Sequence, residues 1–152
     1  MFKIKKSNIN NRGLIASMNI KKNTKIVEYK GRLILKKETE ANKKFDNDKH
    51  IYLFDINKKY NLDGDYKYNT ARLINHSCEP NSEATGKGVK LWISSIKDIK
   101  KGEEISYDYG FSFDKNYKDF ICKCGSKICC GYIVRKGSRW RIIKSKHLTK
   151  RI

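Results

Sequence analysis

The stretch "CKCGSKICC" at 122–130 sets three cysteines, Cys122, Cys124 and Cys129, in C-x-C-x4-C spacing. Three thiolates so spaced can wrap one zinc ion, with Gly125 relaxing the loop between them. A structural zinc takes four protein ligands, so the set is one short. Cys130 adjoins Cys129 and is poorly placed to join the same tetrahedron. The remaining cysteine, Cys78, lies far upstream in "INHSCEPN" at 74–81. We infer that Cys78 completes the set, so the fold must bring a mid-chain loop onto the C-terminal segment. The competing reading is five unrelated reduced cysteines. A Cys78–His76 nucleophile pair is disfavoured, because no acidic partner is evident.

Zinc is preferred to disulfides because nothing in the chain looks exported. "MFKIKKSNIN" lacks the apolar core of a secretion signal, and apolar runs such as "LIL" at 33–35 are too short to span a bilayer. The expectation is an intracellular protein, where cysteines serve metals or chemistry. With 152 residues, 38% of them hydrophobic and nine of them tyrosines, the chain has material for one domain with a modest core. A formal charge of +19 suggests an anionic partner such as nucleic acid or chromatin, or else a Lys/Asn/Ile coding bias. From Ile133 to Ile152 there are eight Lys/Arg and no acid, with Trp140 available for stacking, which reads as a phosphate-binding tail.

Most of the chain reads as short strands. "FKIK" at 2–5 alternates, and "KIVEY" at 25–29, "IYLFD" at 51–55 and "VKLWI" at 89–93 are β-branched and aromatic runs between turn residues. "KKETEANKKF" at 36–45 predicts a helix, with Glu40 and Lys44 at i,i+4 spacing, and "NTARLIN" at 69–75 a single helical turn. "NIKKNTKIVEY" at 19–29 echoes "DIKKGEEISYD" at 98–108. Asn23 and Gly102 both tolerate positive φ, so each copy predicts a tight turn into a strand. The echo reads as two similar hairpins or as pseudo-symmetry about a shared site.

In order, "NRGLIAS" at 11–17, "IVEYKG" at 26–31, "YLFDIN" at 52–57, "NTARLINHSCEPN" at 69–81, "GEEISYDYGF" at 102–111 and "CKCGSKICCGYI" at 122–133 resemble the blocks of SET-domain protein lysine methyltransferases with a post-SET zinc segment. The cofactor loop departs from the family's Gly-x-Gly, carrying Asn11 for the first glycine. Asn is the next best residue at positive φ, so the turn is expected to survive. A cysteine-rich pre-SET region is missing, and the insert between "YKG" and "YLFD" is short.

The resemblance implies a mainly β, SET-domain (β-clip) fold over 1–113, a small zinc-bound post-SET segment at 118–134 and a basic tail at 135–152. It implies a knot-like crossing in which the segment holding Asn75 and His76 passes through a loop of the C-terminal stretch. It implies S-adenosylmethionine as methyl donor and a protein lysine as acceptor, most simply on a histone tail. Asn10, Arg12, Gly13, Leu14, Tyr52, Asn75, His76, Tyr109 and Lys123 would contact the cofactor. Tyr109 would be the catalytic tyrosine, with Tyr107 beside it, and Tyr107 and Tyr29 would line the lysine channel. Cys78, Cys122, Cys124 and Cys129 would hold a structural zinc, with Cys130 left outside the set. Tyr at 107, where relatives carry Tyr or Phe, implies chiefly monomethylation with dimethylation as the minor outcome. In a eukaryotic cell, as a resident, viral or bacterial protein, the place of action would be nuclear chromatin. A non-histone substrate, or an inactive SET module that binds chromatin or nucleic acid, is the alternative.

Overall fold

The structure is a computed structural model that describes residues 1–45 and 52–143. Among these residues, short apolar runs separated by turn chemistry give ten strands and little helix. In chain order the strands are β1 (Phe2–Lys6), β2 (Arg12–Ala16), β3 (Lys25–Tyr29), β4 (Arg32–Leu35), β5 (Leu53–Asp55), β6 (Tyr60–Asp63), β7 (Asn75–His76), β8 (Ser82–Lys87), β9 (Lys90–Ser95) and β10 (Ser106–Tyr107). β1 and β2 form an antiparallel hairpin, and β4, β6 and β5 a three-stranded sheet in that order. The largest sheet has the order β3-β9-β8-β10-β7, with β10 parallel to both β7 and β8. The mainly β expectation is met.

Period-two burial explains the strands. In β9, Leu91, Ile93 and Ser95 are buried while Trp92 and Ser94 are half-buried. Leu91 and Ile93 pack with Leu14, Ile26, Ile74, Ile99 and Ile105 into the main core. A second core gathers Cys78, Cys130, Val134 and Ile142, so the basic segment is anchored in the fold at Val134, Ser138, Arg139 and Ile142, while Arg135, Lys136, Trp140 and Arg141 are exposed. Residues 140–143 are helical, and the rest of the expected tail, 144–152, lies outside the described residues. None of the helices among the described residues is long and apolar enough to cross a membrane.

The expected turns have their expected geometry. Asn11 has φ 41° and closes the β1–β2 hairpin, its carbonyl accepting the Ser7 N–H at 3.0 Å. Asn23 has φ 65° and Gly102 φ 94°. The two echoed segments pair with each other. Ile20 and Ile99 exchange backbone hydrogen bonds of 2.8 Å in both directions. Asn19 Oδ1 accepts the Lys101 N–H, and Asp98 Oδ1 accepts the Lys22 N–H, each at 2.8 Å. Equivalent positions of the echo therefore cap each other, a local two-fold arrangement.

The helix is shorter than its propensity predicts. α1 covers Lys36–Ala41, and a 3-10 turn, Lys43–Phe45, follows. Asn42 is extended and its side chain accepts the Lys44 N–H at 2.9 Å, an Asx turn that competes with helix continuation. Lys44 reaches the buried Asp63 carboxylate at 3.6 Å. The helical turn expected at 69–75 is a 3-10 turn, Thr70–Leu73. β5 begins at Leu53, and Ile51 of the expected strand lies outside the described residues.

Candidate active site and metal-binding cluster

β7, two residues long, positions the site. It lies parallel to β10, pairing Asn75 with Ser106 and His76 with Tyr107. Asn75 is buried, and its Nδ2 lies within hydrogen-bonding reach of the Ser7 hydroxyl (3.0 Å), the Asn10 carbonyl (3.2 Å), the Arg12 carbonyl (3.1 Å) and Glu104 Oε1 (2.8 Å). Ser7 in turn accepts the N–H groups of Ile9 and Asn10 and donates to the Glu104 carboxylate. A Cβ on Gly13 would collide with that carboxylate, so a larger residue there would push Glu104 out of this network. This buried network ties the loop at 7–13 to the strand leading into Tyr107.

His76 is buried, and its Nδ1 accepts the Tyr109 N–H at 3.2 Å. That bond leaves the proton on Nε2, which faces the Cys78 sulfur at 3.7 Å. One imidazole thus bridges the tyrosine strand and the cysteine cluster. The Tyr109 hydroxyl donates to the Ile74 carbonyl at 2.9 Å.

Asn10, Asn75, His76, Tyr109 and Lys123 line one cleft of about 160 Å³ together with Ile9, Ile121, Cys122 and Ile133. Five of the nine expected cofactor contacts therefore meet. Arg12 contributes its carbonyl to the Asn75 network, and Leu14 is fully buried in the core. Tyr52 is not among the residues lining the cleft, but its phenol lies near enough to Tyr107 and Tyr109 to raise both hydroxyls; its carbonyl accepts the Tyr29 hydroxyl at 3.2 Å, and the Arg72 guanidinium lies 5.8 Å from its ring centre.

Beside the cleft runs a chain of aromatic rings. Tyr29 meets Phe54 edge-on at 4.6 Å, Phe54 stacks on Tyr107 at 6.0 Å, and Tyr107 tilts against Tyr109 at 4.9 Å. Gly64 makes room for the Tyr29 ring, which an added Cβ would overlap. Burial pushes the hydroxyls of Tyr29, Tyr107 and Tyr109 above the usual phenol value of 10.0, and neighbouring tyrosines add to the effect. All three stay protonated at neutral pH and cannot serve as general bases. Phe54 went unmarked in the sequence, though it stands two residues from Tyr52 on the same run.

The four cysteines of the expected metal set come together, with their Sγ atoms all within 4.8 Å of one another. Cys78 Sγ lies 3.8 Å from Cys122 Sγ and 3.9 Å from Cys129 Sγ. A tetrahedron with metal–sulfur bonds of about 2.3 Å has edges of about 3.8 Å, so the donor set fits a tetrathiolate ion such as zinc. The Cys78 N–H points at Cys124 Sγ and the Gly131 N–H at Cys129 Sγ, both at 3.4 Å, arrangements that favour thiolates. A hydrogen bond from Cys122 first, then one from His76 and the charge of Arg139, hold the Cys78 thiol well below its usual range. Cys130 lies outside the set, its thiol donating to the Tyr132 carbonyl at 3.2 Å. Cys122 belongs to both cluster and cleft.

Comparison with known proteins agrees with this geometry. Residues 11–110 match the SET domain family. The chain is 41% identical over 140 residues to histone-lysine N-methyltransferase set-2 of Caenorhabditis elegans, covering 88% of this chain and 9% of that protein. It is 38% identical over 135 residues to the H3 lysine-4 specific histone-lysine N-methyltransferase of Schizosaccharomyces pombe, covering 84% and 14%. With human histone-lysine N-methyltransferase 2D the identity is 35% over 130 residues, covering 82% and 2%. The chain thus spans a small fraction of the length of these relatives. With about two thirds of its residues matched and a cleft, tyrosine strand and thiol cluster arranged around "NHSC", the chain belongs to the SET-domain family.

Proposed function

We propose that the chain is a protein-lysine N-methyltransferase that uses S-adenosylmethionine and acts on a histone tail, chiefly by monomethylation. The observation that carries this reading is the Tyr109 hydroxyl, donated to the Ile74 carbonyl where the aromatic chain meets the cleft. Relatives named histone-lysine methyltransferases support the histone as substrate and nuclear chromatin as the place of action.

S-adenosylmethionine, when bound, supplies an electrophilic methyl on a sulfonium. Asn10, Asn75, His76 and Lys123 would hold it, with Ile9, Ile121 and Ile133 against its apolar parts. This mixed lining suits such a ligand, and the cleft's volume suits only part of one. The catalytic difficulty is the proton on the target amine. A free lysine has a pKa near 10.4, so holding it neutral around pH 8 costs about 3 kcal/mol. Tyr29, Phe54 and Tyr107 lower that cost by desolvating the ammonium. Tyr109, fixed by its bond to Ile74, turns its oxygen lone pairs to the reacting centre and orients the amine. The four thiolates of Cys78, Cys122, Cys124 and Cys129 would hold a structural zinc that fixes the Cys122–Lys123 wall.

Tyr107 sets the degree of methylation in this reading. Its hydroxyl holds a water beside the target nitrogen, occupying space that a methylated amine needs to turn for a second transfer. Phenylalanine would release that water. One hydrogen bond is at stake, so the second transfer should run up to about tenfold faster in Tyr107→Phe. Mass spectrometry on histone H3 and on free tail peptides, with radiolabelled donor, tests both claims. Absence of label on every lysine overturns the enzyme assignment, and rapid trimethylation by the parent protein overturns the role of Tyr107.

The basic C-terminal segment supports a second role, sequence-independent binding of nucleic acid. Deleting 136–152 would be a flawed test, because Arg139 and Ile142 are buried. Charge neutralisation at Lys136, Arg141 and the four basic residues beyond 143 is preferable. DNA affinity should fall, and its salt slope should shrink by about one for each phosphate that the variant no longer neutralises. An unchanged slope would leave the charge as coding bias.

A further inference from the structure

Arg139 sits in a segment that reads as solvated tail, yet it is only 5% exposed. Its guanidinium directs three donors at three different parts of the chain. Nε donates to the Val134 carbonyl at 2.8 Å, Nη1 to the Cys78 carbonyl at 2.7 Å, and Nη2 to Asp108 Oδ2 at 2.6 Å. A buried cation is costly unless paired and hydrogen-bonded, and here it is both. Asp108 stands between Tyr107 and Tyr109. Its Oδ2 also accepts the Lys136 N–H at 3.0 Å, and its Oδ1 accepts the Gly110 N–H at 3.0 Å. The Arg135 N–H donates to the Phe111 carbonyl at 2.9 Å. Residues 135–139 therefore grip 108–111 at several points, while His76 holds the Tyr109 N–H. Val134 and Ile142 pack with Cys78 and Cys130 in the same core.

We propose that Arg139 is a positioning residue for methyl transfer, a clasp that joins the strand carrying Tyr107 and Tyr109 to the loop carrying Cys78. The proposal rests on the methyltransferase reading above. A forked, planar donor is what the site uses: three acceptors in three directions suit a guanidinium, and a lysine ammonium would reach fewer of them. Losing the fork frees the main chain at 108–111 and moves both tyrosine hydroxyls relative to the cleft.

The test compares Arg139→Ala, Arg139→Lys, Asp108→Asn and the double variant Arg139→Ala/Asp108→Asn with the parent. Arg139→Ala should lower kcat about tenfold or more, with little change in KM for a histone H3 tail peptide, and Arg139→Lys should recover part of the loss. The ratio of mono- to dimethylated product should change, which a smaller folded fraction cannot cause. The double variant should be little worse than Arg139→Ala alone, because the two groups act as a unit. Hydrogen exchange, which needs no substrate, should quicken about tenfold at the amides of 107–111 while β3 and β9 keep the parental rates. Parental product ratio together with parental exchange at 107–111 overturns the clasp. Uniform acceleration that includes β3 and β9 also overturns it, by showing a merely structural role. A parent that methylates nothing refutes the enzyme reading alone, since exchange still decides whether the clasp holds the strand.

Discussion

Tyr109→Phe should bind its cofactor as the parent does and transfer methyl groups about a hundredfold more slowly. The hydroxyl is placed by a single bond to the Ile74 carbonyl, and the backbone below it by His76. Phenylalanine keeps the ring contacts with Tyr107, Phe111 and His76, so the cleft should retain its shape. What disappears is the oxygen that, on the proposed reading, orients the amine. The Ile74 carbonyl loses its donor, at a cost of about 1 kcal/mol in stability. Calorimetry of cofactor binding beside single-turnover kinetics separates the two effects. A parental turnover rate in Tyr109→Phe would remove this tyrosine from the reaction. No pH profile should report its ionisation, because burial holds the hydroxyl protonated well beyond neutral pH.

Cys78→Ser and Cys122→Ser should each lose the single zinc and, with it, cofactor affinity. The four sulfurs fit one tetrahedron, and a missing thiolate leaves a site of three. Metal binding of this kind is folding free energy, on the order of 10 kcal/mol for small structural sites, so the segment at 122–133 should come loose. Cys122, Lys123 and Ile133 are walls of the cleft, which is why the two losses should arrive together. Cys130→Ser is the control. A serine hydroxyl can keep the bond to the Tyr132 carbonyl, so metal content should stay at one per chain. Elemental analysis decides: full zinc in Cys78→Ser would break the fourth-ligand assignment, and zinc loss in Cys130→Ser would show that the set is wrong.

How much of this was legible depended on whether a residue's chemistry announces its role. Thiols with metal spacing, and Asn or Gly where φ must be positive, constrain the backbone by themselves, and Cys78, Asn11, Asn23 and Gly102 stand as expected. The echo at 19–29 and 98–108 was visible, but its meaning was not. Only the fold shows that Asn19 and Asp98 cap each other's segments. The helix over 36–45 was overestimated because propensity counts Asn42 as a mild breaker, while its side chain makes an Asx turn. Phe54, Ile121 and Ile133 look in sequence like any core residue, and nothing local separates a cleft wall from a core. Arg139 was hidden by its neighbours: among eight basic residues, the one facing Asp108 carries no mark, since its partner lies far away in the chain.

The walls of the cleft have a consequence for synthesis. They come from residues 9–10, 75–76, 109, 121–123 and 133, and Arg139 and Ile142 pack against Cys78 nearby. The β1–β2 hairpin and the β8–β9 pair can form as soon as their residues leave the ribosome, because each joins neighbours in sequence. β10 cannot: it inserts between β7 and β8, strands made well before it, and pairs in parallel with both. The binding site therefore assembles last. A nascent chain stalled before residue 133 would hold most of the main core yet lack a wall of the cleft, so it should show none of the proposed cofactor binding.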